Sequence, residues 1–236
     1  MRSARLLIDP PLPGAENMAR DEALLQACTN STVTPVLRFY GWSPATISLG
    51  YFQDYAEFER LEPPARHLDV VRRTTGGGAI LHDVEVTYSL TMPIDHPLIR
   101  GRPNDLYALA HEAVIAAVGG GTRLYRCYES GGTACGEPVG DEAQACGASS
   151  QRGPFFCFAR RHGLDVVVEE PGSTIGVSKL AGSAQRRTTT AVLQHGSIIL
   201  ARRYDQQPAA TWQSIEPDID HDTAVERLAA EFSKSL

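Results

Sequence analysis

The sequence predicts one mixed α/β domain over residues 1–236, and three observations carry that expectation. The chain has 236 residues, 42% of them hydrophobic, enough to bury one substantial core. Helical periodicity occurs near both ends and once in the middle, while short β-branched or aromatic runs fill the intervals. Their order is neither strict strand–helix alternation nor all strand, and no internal repeat recurs at a fixed period, which excludes a solenoid.

In chain order, residues 15–28 (AENMARDEALLQAC) follow a proline-rich lead and space Met18, Leu24 and Leu25 with alanines at near-helical intervals, predicting an amphipathic helix. TPVLRFYGW and ATISLGYF predict two strands, and Ser43-Pro44 between them is a turn signal, so a hairpin is expected. LDVVRR (68–73) predicts a buried strand feeding TTGGG, with AILHD and EVTYSLTM as further strands. Residues 104–118 predict a helix capped by Asn104 and stopped at Gly119 to Gly121. Between about 129 and 153 the composition turns to Gly, Ala, Ser and Gln, with little to bury, predicting a long mobile loop. LDVVVE, VSKLAGSAQRR and TTAVLQHGSIIL predict strands, and DTAVERLAAEFSKSL a closing amphipathic helix.

A formal net charge of −6 argues against general nucleic-acid binding, which leaves a basic footprint. The arginine pairs 72–73, 160–161 and 186–187 are local exceptions that suit either solvated surface or an acidic partner. No apolar run approaches the roughly 20 residues a membrane span requires, and the start fits neither a secretory nor a transit peptide, so a cytoplasmic protein is expected. Five cysteines cannot all pair internally, and a cytoplasmic chain would keep them as thiols. The gaps between Cys127, Cys135, Cys146 and Cys157 match no zinc-ligand spacing, so no metal site is expected.

Three blocks have the residue types of a ligand site. In Arg72-Arg73-Thr74-Thr75-Gly76-Gly77-Gly78, three glycines let the backbone adopt φ > 0 and approach a phosphate or acyl carbonyl closely. The spacing is neither a Walker A loop nor a dinucleotide fingerprint. Lys179, in SKLAGSAQ, sits among small residues and could donate to a carbonyl or phosphate oxygen, although most lysines are solvated charges. His195, in LQHGSIIL, lies in an apolar strand, where a histidine is more often a hydrogen-bonded core residue than a catalyst.

RRTTGGGAILHD, KLAGSAQRR and LQHGSIIL together, in that order, resemble the lipoate- and octanoate-transferring families related to biotin protein ligase. The resemblance runs from about Asn17, through LRFYGWSPATISLGYFQ, to about Leu200. It implies a class II aminoacyl-tRNA synthetase and biotin synthetase-like fold, a mixed and largely antiparallel sheet with packed helices. HDVEVTYS, beginning at His82, resembles the transferase form, where ligases read HD-x-G-N. The 36 residues after Leu200 are too few for the extra domain that ligases usually carry. Cys157-Phe158 matches the Cys-Phe pair that supplies the acyl-accepting thiol in LipM-type octanoyltransferases, although the Pro-Ser that usually follows is absent and Asp165 stands where Glu is usual.

The resemblance therefore implies an octanoyltransferase in which Cys157 is the nucleophile and Lys179 polarises the thioester carbonyl. It places substrate binding at Arg72, Arg73, Thr75, Gly76, Gly77, Gly78, His82, Gly182, His195 and Gly196. Its implied partners are octanoyl acyl carrier protein and the lipoyl domains of 2-oxoacid dehydrogenases or the glycine cleavage H protein. No cofactor is expected. The alternatives are a lipoyl-domain amidotransferase, an ATP-dependent lipoate ligase in which Cys157 has no covalent role, and a non-catalytic acyl-binding module.

Overall fold

A computed structural model describes residues 4–30, 32–99, 103–125, 154–169 and 176–236. The loop expected over 129–153, together with Cys127, Cys135 and Cys146, lies outside the described residues. Among the described residues the β-branched and aromatic runs build ten strands: β1 Arg5–Ile8, β2 Val36–Tyr40, β3 Thr46–Leu49, β4 Asp69–Arg72, β5 Ile80–His82, β6 Glu85–Pro93, β7 Arg123–Leu124, β8 Val166–Glu169, β9 Val177–Arg187 and β10 Ala191–Ile199. The helices are α1 Gly14–Ala27, α2 Tyr55–Glu59, α3 Pro103–Val118 and α4 His221–Ser235.

Seven strands form one sheet in the order β1-β2-β6-β10-β9-β8-β7, and β4-β3-β5 form a second. Among the described residues β1/β2 and β3/β4 are parallel and the other neighbouring pairs antiparallel, the mixed and largely antiparallel arrangement expected. The hairpin expected at Ser43-Pro44 does not form. Both edges of β2 are occupied, by β1 and β6, so the chain leaves the large sheet there and β3 founds the small one. LDVVRR is likewise not a buried strand: β4 is an edge of the small sheet, with Asp69 and Arg72 exposed. Asn104 is not the cap of α3, which starts at Pro103; its expected stop holds, since Gly119, Gly120 and Gly121 all have positive φ.

Strand periodicity explains how the layers form. Along β6, Val86, Tyr88, Leu90 and Met92 join the core shared with Leu106 and Val114 of α3 and Leu228 and Phe232 of α4. The alternate residues Glu85, Thr87 and Ser89 point to the opposite face, yet they too are buried. That face is covered by α1, whose Leu25 packs on Ala191 and Leu193. A strand with a polar face that is nonetheless buried must satisfy those groups internally. Thr87 donates to Glu85 Oε1 and Ser89 to Asp21 Oδ1, in the space between α1, the two sheets and the segment around Cys157, while Glu85 Oε2 has no partner among the described residues.

Candidate active site

The glycine loop is built around Arg73, which is buried with no carboxylate in ion-pair range among the described residues. Its five N–H groups are spent on the loop and on β3. Nε donates to Thr75 Oγ1, Nη1 to the Ser48 carbonyl and hydroxyl at 2.9 and 3.0 Å, and Nη2 to the carbonyls of Gly76 and Gly78, both at 2.7 Å. Burial pulls its pKa down to about 10. Arg72 faces the other way, donating from Nη1 to the carbonyls of Gly50, Tyr51 and Gln53. The arginine pair therefore braces two neighbouring loops.

The glycines have separate jobs. Gly77 has φ of +93°, the left-handed region that favours glycine. Gly78 lets the chain around Cys157 approach: a Cβ there would lie 3.0 Å from the Phe155 carbonyl and 3.1 Å from the Cys157 nitrogen. That contact is zipped by Ala79 N–H to the Phe155 carbonyl at 2.9 Å and Cys157 N–H to the Ala79 carbonyl at 2.7 Å. A Cβ on Gly76 would meet nothing. The motif thus places the thiol as well as shaping the cavity.

Cys157 opens a one-turn 3₁₀ segment, half-buried, with its sulfur 3.5 Å from Lys179 Nζ. Lys179 is 3% exposed and donates to Asp165 Oδ2 at 2.9 Å. Burial alone would lower the lysine pKa, but the Cys157 sulfur and the Asp165 carboxylate outweigh it and raise it. A bulge aims this lysine. Val166 pairs with Ala181 but Val167 with Lys179, so β9 carries one extra residue, Leu180. Lys179 and Gly182 then share a face, and a Cβ on Gly182 would lie 2.3 Å from Lys179 Cε and 2.5 Å from Nζ. Glycine at 182 is the space the ammonium occupies.

Across the cavity His195 contacts Thr75 Oγ1 through Nε2 at 2.6 Å and Asp21 Oδ2 through Nδ1 at 3.3 Å. His82 contacts the Ser48 hydroxyl at 2.7 Å and Glu85 Oε1 at 2.8 Å, and stacks on Trp42 with ring centroids 3.7 Å apart. Burial lowers the His82 pKa. Gly196 leaves room for Ser183 and the Tyr88 ring, which a Cβ would meet at 2.4 and 2.6 Å.

Between these residues lies a cavity of about 470 Å³ of unfilled space, part of it open to solvent. Arg73, Gly77, His82, Cys157, Gly182, His195 and Gly196 reach its wall; Thr75, Gly76, Gly78 and Lys179 stand directly behind, and Arg72 outside. Phe158 of the Cys-Phe pair supplies apolar wall, together with Trp42, Tyr40 and Ile80, which the motifs did not single out. Nor did they reveal Asp21, the carboxylate on which this side is built. Asn17 and Asp21, four residues apart and therefore on one face of α1, were the available signal.

A family model described as the lipoyl protein ligase A/B catalytic domain matches residues 13–225. The octanoyltransferase LipM of Moorella thermoacetica is 40% identical over 192 residues, 80% of this chain and 62% of that protein. The octanoyltransferase LipM of Brevibacillus brevis is 36% identical over 201 residues, 85% and 67% of the respective chains. The chain thus spans about three fifths of the Moorella relative's length. A structure of a bipartite lipoate protein ligase from Thermoplasma acidophilum, studied with its E2 lipoyl domain, superposes with a TM-score of 0.64. It is 19% identical, over 100% of this chain and 84% of that one, a likeness of fold.

Proposed function

The chain belongs to the lipoyl protein ligase A/B catalytic-domain family, and from that premise we propose that it is an octanoyltransferase working through a thioester on Cys157. The observation that carries this reading is the Cys157 sulfur 3.5 Å from a buried ammonium, at the wall of a cavity lined by Trp42, Ile80 and Phe158. A thiolate formed there has a cation beside it, and the apolar walls suit a hydrocarbon chain. The sulfur attacks the donor thioester carbonyl, a new C–S bond forms, and the donor thiol leaves. A lysine amine of the acceptor then attacks the acyl carbon, forming C–N and breaking C–S, and the sulfur regains its proton. Lys179, as a hydrogen-bond donor, stabilises the oxyanion of both steps.

The donor in this reading is octanoyl acyl carrier protein. The acceptor is a lipoyl domain of a 2-oxoacid dehydrogenase or the glycine cleavage H protein. The likeness to two octanoyltransferases supports the acyl group, and the lipoate ligase fold supports the acceptor class. A free thiol as nucleophile suits the reducing cytoplasm. In the test, the protein is incubated with octanoyl carrier protein and an apo lipoyl domain. An octanoyl adduct on Cys157, labile to hydroxylamine, and its passage to the lipoyl domain are expected, both lost in Cys157→Ser. ATP with free octanoate should modify nothing. Adenylate formation that survives Cys157→Ser overturns the mechanism.

A further inference from the structure

An enzyme that parks an acyl group on Cys157 has an amine of its own at the same place. Lys179 Nζ lies 3.5 Å from the sulfur, within reach of an acyl carbon bonded to it, and an amide is more stable than a thioester. The chain contains only one other lysine, Lys234, exposed in the last turn of α4 and paired with Glu231 at 2.6 Å. Self-acylation is therefore a threat concentrated on Lys179.

Asp165 answers it geometrically. It is 4% exposed, and its Oδ2 accepts from Lys179 Nζ at 2.9 Å and from the His162 N–H at 2.7 Å. The Asp165 N–H in turn donates to the His162 carbonyl at 2.9 Å, so the carboxylate is held by its own turn rather than by the lysine. Its Oδ1 would lie 3.1 Å from a Cβ on Gly182, which closes the third side of the ammonium. Cys157, Asp165, His111, His162 and Tyr107 are titratable groups around this corner, and the Arg73 guanidinium acts on Cys157 from the glycine loop. Among the described residues Asp165 is the one carboxylate in ion-pair range of Lys179.

We propose that Asp165 is a positioning residue that guards the acyl intermediate: by fixing Lys179 as a paired ammonium beside Cys157, it blocks transfer of the acyl group from sulfur to the enzyme's own amine. An ammonium has no lone pair with which to attack. Without its partner a fraction becomes neutral amine, the Lys179 nitrogen bonds to the acyl carbon, the C–S bond breaks, and the proton lost by nitrogen goes to the sulfur. The inference rests on Cys157 as the acyl acceptor, proposed above.

The test charges wild type, Asp165→Asn and Asp165→Glu from octanoyl carrier protein with no acceptor present, and maps the adduct by peptide mass spectrometry. In wild type and Asp165→Glu the adduct should stay on Cys157, labile to hydroxylamine. In Asp165→Asn it should move to Lys179 as a hydroxylamine-stable amide, faster at higher pH, with transferable octanoyl lost about tenfold faster for each unit by which the lysine pKa falls. An Asp165→Asn adduct that stays on Cys157 as long as in wild type overturns the proposal. With two lysines in the chain, carbon-13 labelling at Cε gives two signals, so the titration of Lys179 can be followed directly, with Lys234 as internal reference. A lower Lys179 midpoint in Asp165→Asn, with Lys234 unmoved, supports the guard; an unmoved midpoint overturns it. Failure of wild-type Cys157 to take any acyl group counts against the reading of Cys157, and the lysine titration still decides the role of Asp165.

Discussion

Asp21 and Asp165 are both buried carboxylates paired with a cation, and the protein uses them in opposite ways. Asp21 accepts from Arg38 Nη1 at 2.8 Å, Tyr40 OH at 2.8 Å, Ser89 Oγ at 2.7 Å and His195 Nδ1 at 3.3 Å. Burial would raise its pKa, but the His195 hydrogen bond and the Arg38 charge outweigh that and hold it low. Arg38 also reaches Asp9 with Nε and Asn17 with Nη1 and Nη2. Asp165 instead pairs with a lysine whose other hydrogen-bond partner among the described residues is a sulfur. A rigid, permanently charged fork on a filled carboxylate makes scaffold, whereas a flexible ammonium shared between a carboxylate and a thiol makes a reactive corner.

The comparison predicts that stability and activity separate. Asp21→Ala leaves a buried guanidinium with only Asp9 as a charged partner and should cost about 3–5 kcal/mol, read as a lower urea midpoint. The double variant Lys179→Met/Asp165→Leu replaces a buried pair with apolar side chains. It should hold its stability within about 1 kcal/mol or gain some, while octanoyl transfer falls to background. If the double variant unfolds first, the division between scaffold and corner is wrong.

Two glycines sharpen the same division on a smaller scale. At Gly78 the atoms a Cβ would meet are backbone, Phe155 O and Cys157 N, which cannot yield without moving the thiol segment. At Gly182 the two nearest atoms are the far end of a lysine, which can swing away, and the third is Asp165 Oδ1 at 3.1 Å. Gly182→Ala should therefore change stability by under about 1 kcal/mol, yet slow Cys157 acylation about 10- to 100-fold because the ammonium is displaced. Gly78→Ala should lower both together. Pre-steady-state acylation rates beside urea midpoints check the pair.

How much of this was readable from the residues follows from how local each cause is. β9 and α4 lie at or within a residue of where periodicity puts them, because the cause is a local alternation of side chains. The hairpin at Ser43-Pro44 was misread because strand pairing is decided by which edges β1 and β6 already occupy, a non-local fact. The motifs found Cys157, Lys179, Gly182 and His195 as separate blocks, but not the bulge at Leu180 that puts Lys179 and Gly182 on one face. Arg73 was read as a ligand-binding arginine, and only the folded loop shows its five donors already spent. Asp165 entered as a departure from a motif and becomes the partner of Lys179 in three dimensions.

A pH dependence decides which side of the comparison the histidines belong to. His82 is held between Glu85 and Ser48, and His111 between the Leu164 carbonyl and Ser183 Oγ, so both sit in filled networks like that of Asp21. Burial lowers both pKa values below the ordinary 6.5. The folded state therefore binds fewer protons than the unfolded chain once the pH drops below 6.5. The stability these residues contribute is fully present above that pH and declines as the pH falls towards their folded values, by at most about 1.4 kcal/mol per unit per histidine. Asp21 and Asp9, whose pKa values are lowered, add a loss of the same sign, but only in the range below about 4 where carboxylates titrate. Urea midpoints measured from pH 7.5 to 5 should fall, and His111→Gln, which takes up no proton in either state, should flatten the slope. A flat wild-type profile would mean that the histidines are not held neutral by burial and belong with the reactive corner instead.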